Sequence, residues 1–493
     1  MLYFSTRDTS LTATGLEAVV NGIAPDGGLY MPAHFPHLPV ESLLSLDALG
    51  ISKRILGAYF DELSEAEIST LIDASYIGRF ETPDLTPIVQ LKGAYVLELF
   101  RGPTQAFKDV ALSVLPHLMT AARKKLGVKK EMLILTATSG DTGKAALTGF
   151  CDVAGTRIAV YYPEGGVSPV QQKQMTTQKG KNVAVCAVRG NFDDAQTGVK
   201  AIFTSAPAKE KLDQLGFSLS SANSINIGRL IPQIMYYYKA YIDLVKCDAI
   251  QVGEAVNFIV PTGNFGNILA GYFAKKMGLP VGCLVCASNV NDVLTDFLTT
   301  GTYDRRRAFY KTASPSMDIL ISSNLERLLY LVCGEKTSGY MESLKNTGYY
   351  EIDAAALDAL KKDFYPARCS EEECLSTVRR VFNENQYLCD THTAVAFHAL
   401  SQYQEAEKST APAVVLSTAS PFKFPNAVLN ALEGAAPDDE FEAIERLENI
   451  SGILAPKALT SLKDIPQRHT DVVKLEEMEN YILRKAEQTQ WYE

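Results

Sequence analysis

The pattern of hydrophobic positions predicts strands that alternate with helices along most of the chain. The clearest helical pattern places Ile231, Ile234, Met235, Tyr238 and Ile242 on one face, at the spacing of an amphipathic helix. Short apolar runs bounded by turn residues predict strands between the helical segments. This alternation indicates an α/β fold with open, mostly parallel sheets. The predicted strands are 94–100, 132–137, 157–162, 182–188, 256–260, 281–287 and 413–418.

The 493-residue chain is long enough for about three domains. Residues 1–85 precede the alternating pattern and are predicted to form an N-terminal domain. Residues 86–215 are predicted to form a smaller α/β domain, and residues 216–493 a larger one. The less regular stretch at about 300–390 is interpreted as an insertion around the core of the larger domain.

Composition narrows the class of protein. The net charge of −10 and the isoelectric point near 5.3 argue against a surface that coats nucleic acid. The nine cysteines form no disulfide framework, and Cys283 and Cys286 are interpreted as buried structural thiols. The six histidines form no metal-binding motif. With no leader-like amino terminus and no run of about 20 apolar residues, the expectation is a cytoplasmic protein without membrane or nucleic-acid partners.

Three predicted strands end in loops rich in glycine, serine and threonine, at residues 138–143, 262–267 and 417–421. Ligands of open α/β sheets bind at such strand ends. A glycine-rich loop before a helix offers free N–H groups and a positive helix end, which favour an anion. Neither glycine-rich loop matches a nucleotide-binding motif. Either loop alone is more simply a tight turn, but the two together predict sites for two anionic groups.

A lysine lies in the turn that follows the first of the predicted strands. Lys108 has apolar neighbours at Ala106, Phe107, Val110 and Ala111, which favours partial desolvation of its amine. Desolvation lowers the pKa of a lysine, and Schiff-base chemistry needs a neutral amine. A lysine at a helix start is more often a solvated surface charge, so this pattern alone does not decide its role.

These segments resemble the threonine synthases, a family of pyridoxal 5′-phosphate (PLP) enzymes. The resemblance covers most of the chain, is weakest at residues 300–390 and at the carboxyl end, and is greatest to the longer form with an additional N-terminal domain. The matching segments are STR (5–7), APDGGLYMP (24–32), GPTQAFKD (102–109), ATSGDTGKAAL (137–147), SPVQQKQMTT (168–177), FDDAQ (192–196), NSINIGRLIPQ (223–233), PTGNFGNILAG (261–271) and STASPFKFPNAV (417–428).

The resemblance implies a fold-type II PLP enzyme, similar to the tryptophan synthase β subunit, with two open sheet domains and an N-terminal domain. Lys108 is then expected to hold PLP and to shuttle protons, and Thr418 to face the pyridine nitrogen. The expected cradle for the cofactor phosphate is Gly263, Asn264, Phe265, Gly266 and Asn267. The expected loop for the substrate carboxylate is Ser139, Gly140, Asp141 and Thr142.

The implied activity is that of a carbon–oxygen lyase, which converts O-phospho-L-homoserine and water into L-threonine and phosphate. A related dehydratase or phospholyase and a non-catalytic ligand-binding relative remain alternatives. Two positions depart from the family pattern: Ser420 stands where many relatives have histidine, and Lys144 stands where a small residue is expected. The candidate residues for the substrate phosphate are Ser224, Asn226, Arg229 and Lys423.

Overall fold

A computed structural model describes residues 1–138 and 140–491 of the chain. Its strands are β1 (Leu2–Ser5), β2 (Thr12–Thr14), β3 (Tyr30–Pro32), β4 (Ile88–Leu91), β5 (Ala94–Glu98), β6 (Glu131–Ala137), β7 (Thr156–Pro163), β8 (Val183–Arg189), β9 (Phe217–Ser220), β10 (Val256–Pro261), β11 (Val281–Ser288), β12 (Thr302–Asp304), β13 (Tyr349–Glu351), β14 (Phe364–Arg368), β15 (Ala413–Ser417) and β16 (Asp471–Lys474).

Helices separate most of these strands. They are α1 (Gly15–Asn21), α2 (Ala48–Tyr59), α3 (Glu65–Tyr76), α4 (Lys108–Lys125), α5 (Asp141–Phe150), α6 (Pro169–Thr176), α7 (Phe192–Thr204), α8 (Ala206–Gln214), α9 (Ile227–Leu230), α10 (Ile234–Lys246), α11 (Gly266–Lys276), α12 (Val293–Thr300), α13 (Leu325–Cys333), α14 (Lys336–Thr347), α15 (Ala354–Lys361), α16 (Glu371–Asn385), α17 (Thr391–Glu407), α18 (Pro425–Glu433), α19 (Glu440–Ser451), α20 (Lys457–Thr460) and α21 (Met478–Ala486). Short 3-10 helices lie at Val40–Ser42, Ile231–Gln233, Pro315–Met317, Pro421–Lys423, Ser461–Lys463 and Leu475–Glu477.

Two large sheets organise the molecule. One has six strands in the order β14-β11-β10-β15-β5-β4, all parallel except the edge strand β4. The other has five parallel strands in the order β16-β8-β7-β6-β9. The central strands are buried along nearly their whole length, because helices cover both faces of each sheet. An antiparallel sheet, β2-β1-β3, lies in the N-terminal region.

The predicted α/β class and the predicted strands are confirmed, with strand ends that differ by a few residues. Sheet membership crosses the domain limits expected from the sequence. Strands β4 and β5 pair within the six-stranded sheet, whereas β9 and β16 pair within the five-stranded sheet. The region interpreted as an insertion supplies β14, an edge strand of the six-stranded sheet. The three domain ranges themselves stay a prediction.

The amphipathic helix expected around residues 231–242 differs in two respects. Its helical path is divided into α9, a 3-10 turn that contains Pro232, and α10. In addition, α10 is buried on all sides from Ile234 to Ile242, so its amphipathic spacing does not correspond to a solvent-exposed face over these residues. Tyrosine hydroxyls made the opposite face look polar in sequence, but they are hydrogen-bonded inside the protein: the Tyr236 hydroxyl donates to Gln233 Oε1 at 3.0 Å.

Among the described residues, no helix combines the length and the apolar composition needed to cross a bilayer.

Candidate active site

Lys108 is the first residue of α4 and follows β5 through a tight turn. Asp109 closes that turn, because its carboxylate accepts hydrogen bonds from the Thr104 amide at 2.8 Å and the Thr104 hydroxyl at 2.5 Å. Gly102 makes room for this arrangement, since a Cβ there would lie 2.5 Å from Asp109. Gln105 has a φ of 61°, a conformation that is costly for a residue with a side chain. The turn therefore fixes the direction of the lysine.

The Lys108 amine lies in a buried, charged environment. Its Nζ donates to Ser316 Oγ at 3.3 Å and lies 3.6 Å from Asp141 Oδ2. Burial lowers the pKa of Lys108 to about 8, although the charge of Asp141 opposes the shift. The positive charges of Lys423 and Arg229 lower the pKa further. A sizeable fraction of this amine is therefore neutral near physiological pH.

Asp141 forms the centre of the charged cluster. Its Oδ1 lies 2.7 Å from Lys423 Nζ and accepts a hydrogen bond from Gln171 Nε2 at 3.1 Å. Burial alone would raise the pKa of Asp141, but the charges of Lys423 and Lys108 outweigh burial and hold the pKa well below its ordinary value. Lys423 is fully buried and also donates to the Thr104 carbonyl at 2.9 Å. Asp141 is therefore a permanent carboxylate between two lysines.

The cluster lies between the two large sheets. Asp141 begins α5, which follows β6 of the five-stranded sheet, whereas Lys108 follows β5 of the six-stranded sheet. The loop after β15 lies against the lysine turn, because the Phe107 amide donates to the Thr418 carbonyl at 2.8 Å. The Ser420 amide likewise donates to the Gln105 carbonyl at 3.1 Å. The carboxyl ends of strands from both sheets thus meet at one place, as expected for a ligand site.

The glycine-rich loop after β10 leads into α11. Phe265 precedes that helix with a φ of 61°, and neither Gly263 nor Gly266 has a positive φ. Asn267, in the first turn, accepts hydrogen bonds at its Oδ1 from the hydroxyls of Tyr236 at 2.5 Å and Tyr237 at 2.9 Å. These donors fix the orientation of the amide. Asn267 Nδ2 is left buried and without a partner among the described residues, which marks it as a donor for a ligand.

Comparison with known proteins agrees with this geometry. Residues 80–420 match the family model for pyridoxal-phosphate dependent enzymes. Residues 2–76 match the model for the threonine synthase N terminus, and residues 393–482 match the model for the threonine synthase C-terminal region. The chain belongs to the threonine synthase family. The resemblance stated from the sequence motifs is confirmed.

Individual relatives support the assignment to the threonine synthase family. The threonine synthase of Saccharomyces cerevisiae is 38% identical over 469 residues, which cover 88% of this chain and 89% of the relative. Threonine synthase-like 1 of Homo sapiens is 39% identical, but the match covers only 58% of that longer protein. The crystal structure of PLP-bound threonine synthase from Brucella melitensis superimposes with a TM-score of 0.87, at 36% identity, over 99% of this chain and 100% of that one. The fold-type II architecture is thereby confirmed.

The site has the groups that PLP needs. The low pKa of Lys108 provides an amine for covalent attachment, and the start of α11 with Asn267 Nδ2 provides donors for a phosphate. Thr418 is buried, and its carbonyl accepts from the lysine turn, whereas the expected position of its hydroxyl next to the pyridine ring stays a prediction. Roles for the other cradle residues, Asn264 and Phe265, stay predictions.

The loop predicted to receive the substrate carboxylate precedes α5. Ser139 lies outside the described residues. Gly140 has a φ of 138°, and a Cβ there would lie 2.6 Å from the Gln171 side chain. The Asp141 side chain already pairs with lysines, and the Gly140 N–H donates to Thr138 Oγ1 at 3.0 Å. The backbone N–H groups of Asp141 and Thr142 are therefore the groups left for a carboxylate.

Lys144, one turn into α5, does not extend into open solvent. Its Nζ donates to Gln178 Oε1 at 2.5 Å, and burial lowers its pKa to about 8. The side chain therefore adds a second partly desolvated amine near the Asp141 loop.

Of the residues predicted to bind the substrate phosphate, Arg229 is the one with unused donors. Its side chain is 4% exposed, and one terminal nitrogen donates to the Ala222 carbonyl at 2.9 Å. Its Nε has no partner among the described residues. Burial lowers the pKa of Arg229 to about 10, and its charge acts on Lys108. A buried guanidinium with a free donor indicates a missing anion.

The other candidates for the substrate phosphate differ in their surroundings. Ser224 lies beside the glycine-rich loop, since a Cβ on Gly266 would be 3.9 Å from the Ser224 Cβ. Asn226 is fully buried and caps α9 by accepting from the Gly228 amide at 2.9 Å, while its Nδ2 donates to the Val19 carbonyl at the same distance. The Asn226 side chain is thus occupied by structural hydrogen bonds, and Lys423 is paired with Asp141.

Sequence reasoning missed a wall of the site formed by residues 314–324. Ser316 contacts the Lys108 amine, and its backbone N–H donates to His392 Nε2 at 3.1 Å. His392 is oriented by Asp390, whose Oδ2 lies 2.6 Å from Nδ1. Ser322 Oγ donates to the Gly263 carbonyl at 2.7 Å, which ties the wall to the glycine-rich loop. One sequence feature could have indicated the contact between Ser316 and His392: Asp390 is a typical helix N-cap residue and lies two positions before this histidine.

Proposed function

We propose that this chain is a threonine synthase, which converts O-phospho-L-homoserine and water into L-threonine and phosphate. The observation that carries the proposal is a pair of buried donors without a partner among the described residues: Asn267 Nδ2 at the start of α11, and Arg229 Nε, whose guanidinium charge acts on Lys108. A PLP enzyme with an unphosphorylated substrate needs one phosphate site, whereas a phosphorylated substrate needs two. The two donors support one anion each.

The residues of this chain have separate tasks in that reaction. PLP, when bound, supplies an electron sink for negative charge that develops on the substrate next to its amine. Lys108 Nζ accepts the proton from the carbon next to the substrate amine, since its lowered pKa leaves about a tenth of the amine neutral at pH 7. Ser316 holds Lys108 Nζ in place through its hydroxyl. Arg229 pairs with the phosphate that is lost as the leaving group.

Asp141 offsets only part of the positive charge in the interior of the site. With Lys108 and Arg229 nearby, the carboxylate of Asp141 offsets one of three buried positive charges. The remaining positive charge favours the binding of a substrate that carries both a carboxylate and a phosphate.

A dehydratase that acts on serine or threonine is the alternative from the same fold. Such an enzyme has no use for a desolvated guanidinium without a partner, so Arg229 argues for the phosphorylated substrate. A non-catalytic binding protein has no need for a lysine with a lowered pKa at the head of a helix.

The test is an assay of the purified holoenzyme for phosphate and threonine release from O-phospho-L-homoserine, with serine as the unphosphorylated comparison. Loss of a charged hydrogen bond costs roughly 1.5–3 kcal/mol, so Arg229→Met should lower kcat/KM for the phosphorylated substrate about ten- to a hundredfold. Serine turnover and PLP content should change less. Arg189→Met, at a side chain 64% exposed, is the matched control. Equal losses on both substrates would contradict the assigned role of Arg229.

The cysteines support a cytoplasmic setting for this activity. All nine are free thiols, and Cys286, whose pKa burial raises to about 12, is too basic to be a reactive thiolate. Free thiols in this number suit a reducing compartment.

A further inference from the structure

Next to β14, an edge strand of the six-stranded sheet, a sulfur, an oxygen and a nitrogen ligand converge. Cys369 follows β14, Glu373 lies in the first turn of α16, and His398 lies in the second turn of α17. The Cys369 Sγ, a Glu373 carboxylate oxygen and a His398 ring nitrogen all lie within 4.8 Å of one another. Three different elements supply these groups, so their proximity is a product of the fold rather than of sequence spacing.

The distances suit a tetrahedral cation. Glu373 Oε1 lies 3.6 Å from His398 Nε2. Two ligands at about 2.0–2.2 Å from a tetrahedral zinc ion are separated by about 3.4 Å, and a sulfur and a nitrogen ligand by about 3.6 Å. Because the three ligand atoms lie within 4.8 Å of one another, the thiol needs a shift of about 1.2 Å at most, which small rotations within the side-chain rotamers supply.

Glu373 is able to bind a cation without giving up its structural role. Its Oε2 accepts from the Ser370 amide at 2.8 Å and closes the capping box of α16, which leaves Oε1 facing His398. Gln402 Nε2 lies 2.8 Å from His398 Nε2 and 2.8 Å from the Arg368 carbonyl. A bound cation would displace Gln402 Nε2 from His398 Nε2, whereas the hydrogen bond to the Arg368 carbonyl would keep the Gln402 side chain in place.

We propose that Cys369, Glu373 and His398 form a binding site for a thiophilic divalent cation, with Zn²⁺ as the representative ion. One thiolate and one carboxylate balance the charge of the ion, and the imidazole is neutral. Burial raises the pKa of the free Cys369 thiol, so the thiolate forms only as the cation binds, and the thiol proton is released to solvent. Glu373 is 48% exposed, so water has access to the fourth coordination position. The cation would join β14, α16 and α17.

The test is equilibrium dialysis of chelator-treated holoenzyme against Zn²⁺, followed by metal analysis. The wild-type chain should retain one equivalent that Cys369→Ser, Glu373→Gln and His398→Gln each weaken at least about tenfold. Glu373→Gln is the sharpest variant, because glutamine keeps the capping box and removes the charge. Zn²⁺ should also raise the melting temperature of the wild type but not of these variants.

The controls remove a thiol or an imidazole that lies elsewhere. Cys247→Ser changes an exposed thiol and His34→Gln an exposed histidine, and neither should alter the stoichiometry. If Cys369→Ser fails to fold because its side chain is buried, the two partly exposed positions still decide the question. A wild-type chain that retains no Zn²⁺, or an equivalent that survives both Glu373→Gln and His398→Gln, would overturn the proposal. This outcome is independent of threonine synthase activity.

Discussion

At the scale of single residues, Asp141 and Lys423 form an ion pair that has almost no contact with solvent. Their side chains are 3% and 0% exposed, and Nζ lies 2.7 Å from Oδ1. A buried pair adds little net stability over apolar residues, but removal of one partner leaves an uncompensated charge. The pair therefore connects the predicted substrate loop at the start of α5 to the loop after β15. A substitution that removes only one partner should destabilise the protein.

Lys423→Met should lower the free energy of unfolding by ~3–5 kcal/mol, because Asp141 stays buried without its main partner. The double variant Asp141→Asn, Lys423→Met should recover most of the loss, since both charges are then absent. Urea unfolding of the wild type and the two variants measures the effect. If Lys423→Met unfolds at the wild-type urea midpoint, the ion pair does not stabilise the fold. The predicted contact of Lys423 with the substrate phosphate then becomes the better explanation of its position.

The lowered pKa of Lys108 predicts how cofactor attachment depends on pH. The neutral amine reacts, so the rate of PLP attachment to the apoenzyme should rise with pH up to about 8 and then level off. Asp141 raises the pKa of Lys108, so Asp141→Asn should shift the profile to lower pH. The return of visible absorbance measures the rate, and borohydride followed by peptide mapping should place the label on Lys108.

Lys144 gives the matched control for that profile, because burial lowers its pKa to about 8 as well. Lys144→Met should leave the inflection of the attachment rate in place. A rate that keeps rising toward pH 10, as for a solvated lysine, or a label on any other lysine would contradict the assignment of Lys108.

At the scale of elements, both loops that face the cofactor position contain a residue with a side chain in the left-handed region: Gln105 before α4 and Phe265 before α11. Such conformations cost of order 1–3 kcal/mol and persist where neighbouring contacts enforce them. Gln105 is held by hydrogen bonds from its Nε2 to Glu81 and to the Gly102 carbonyl. The strained backbone conformations thus lie just before α4 and α11, at residues that set the direction of these two helices.

The two glycines of the loop after β10 should differ in their tolerance of a side chain. A Cβ on Gly263 would lie 2.9 Å from the Ser316 carbonyl oxygen, whereas a Cβ on Gly266 would meet nothing closer than 3.5 Å. Gly263→Ala should therefore displace the wall at Ser316 and weaken PLP retention at least about tenfold, with a smaller effect for Gly266→Ala. Fluorescence titration of the apoenzymes with PLP measures both. Equal PLP affinities in the two variants would show that the segment at Ser316 shifts without a measurable cost in binding free energy.

The sequence anticipated the elements better than their contacts. Buried parallel strands such as β6 and β10 are continuous apolar runs, so their positions were predicted to within a few residues. The glycine-rich loops were then located as the segments that directly follow these strands. The wall at Ser316 was missed because its approach to Lys108 joins positions 208 residues apart, and irregular segments carry no periodicity. The burial of α10 was missed because tyrosines look polar until their hydroxyls find partners inside the protein.

At the scale of the whole molecule, Arg327 connects the N-terminal sheet to the glycine-rich loop after β10 and to the segment before α9. Its side chain is fully buried, and its Nε donates to the Tyr30 carbonyl of β3 at 3.0 Å. One terminal nitrogen donates to Asn324 Oδ1 at 2.5 Å, and the other donates to the Ile225 carbonyl at 2.6 Å. Asn324 in turn donates to the Asn264 carbonyl of the glycine-rich loop at 3.0 Å. The N-terminal region is thus part of the support of the site.

Arg327→Lys should therefore affect stability and ligand binding together. A lysine keeps the charge but lacks the fork that reaches three acceptors in three directions, so at least two buried acceptors lose their donor. At about 1–3 kcal/mol for each unsatisfied group, the free energy of unfolding should fall by roughly 2–6 kcal/mol. PLP affinity should fall as well, because Asn324 is released from its position beside Asn264. Arg7→Lys is the matched control, because Arg7 pairs with Glu326 at the same helix start but is partly exposed. Its side chain hydrogen-bonds Glu326 rather than the glycine-rich loop, so this substitution should cost less stability and leave PLP affinity unchanged. A loss of stability in Arg327→Lys with wild-type PLP affinity would mean that the N-terminal region stabilises the fold without supporting the cofactor site.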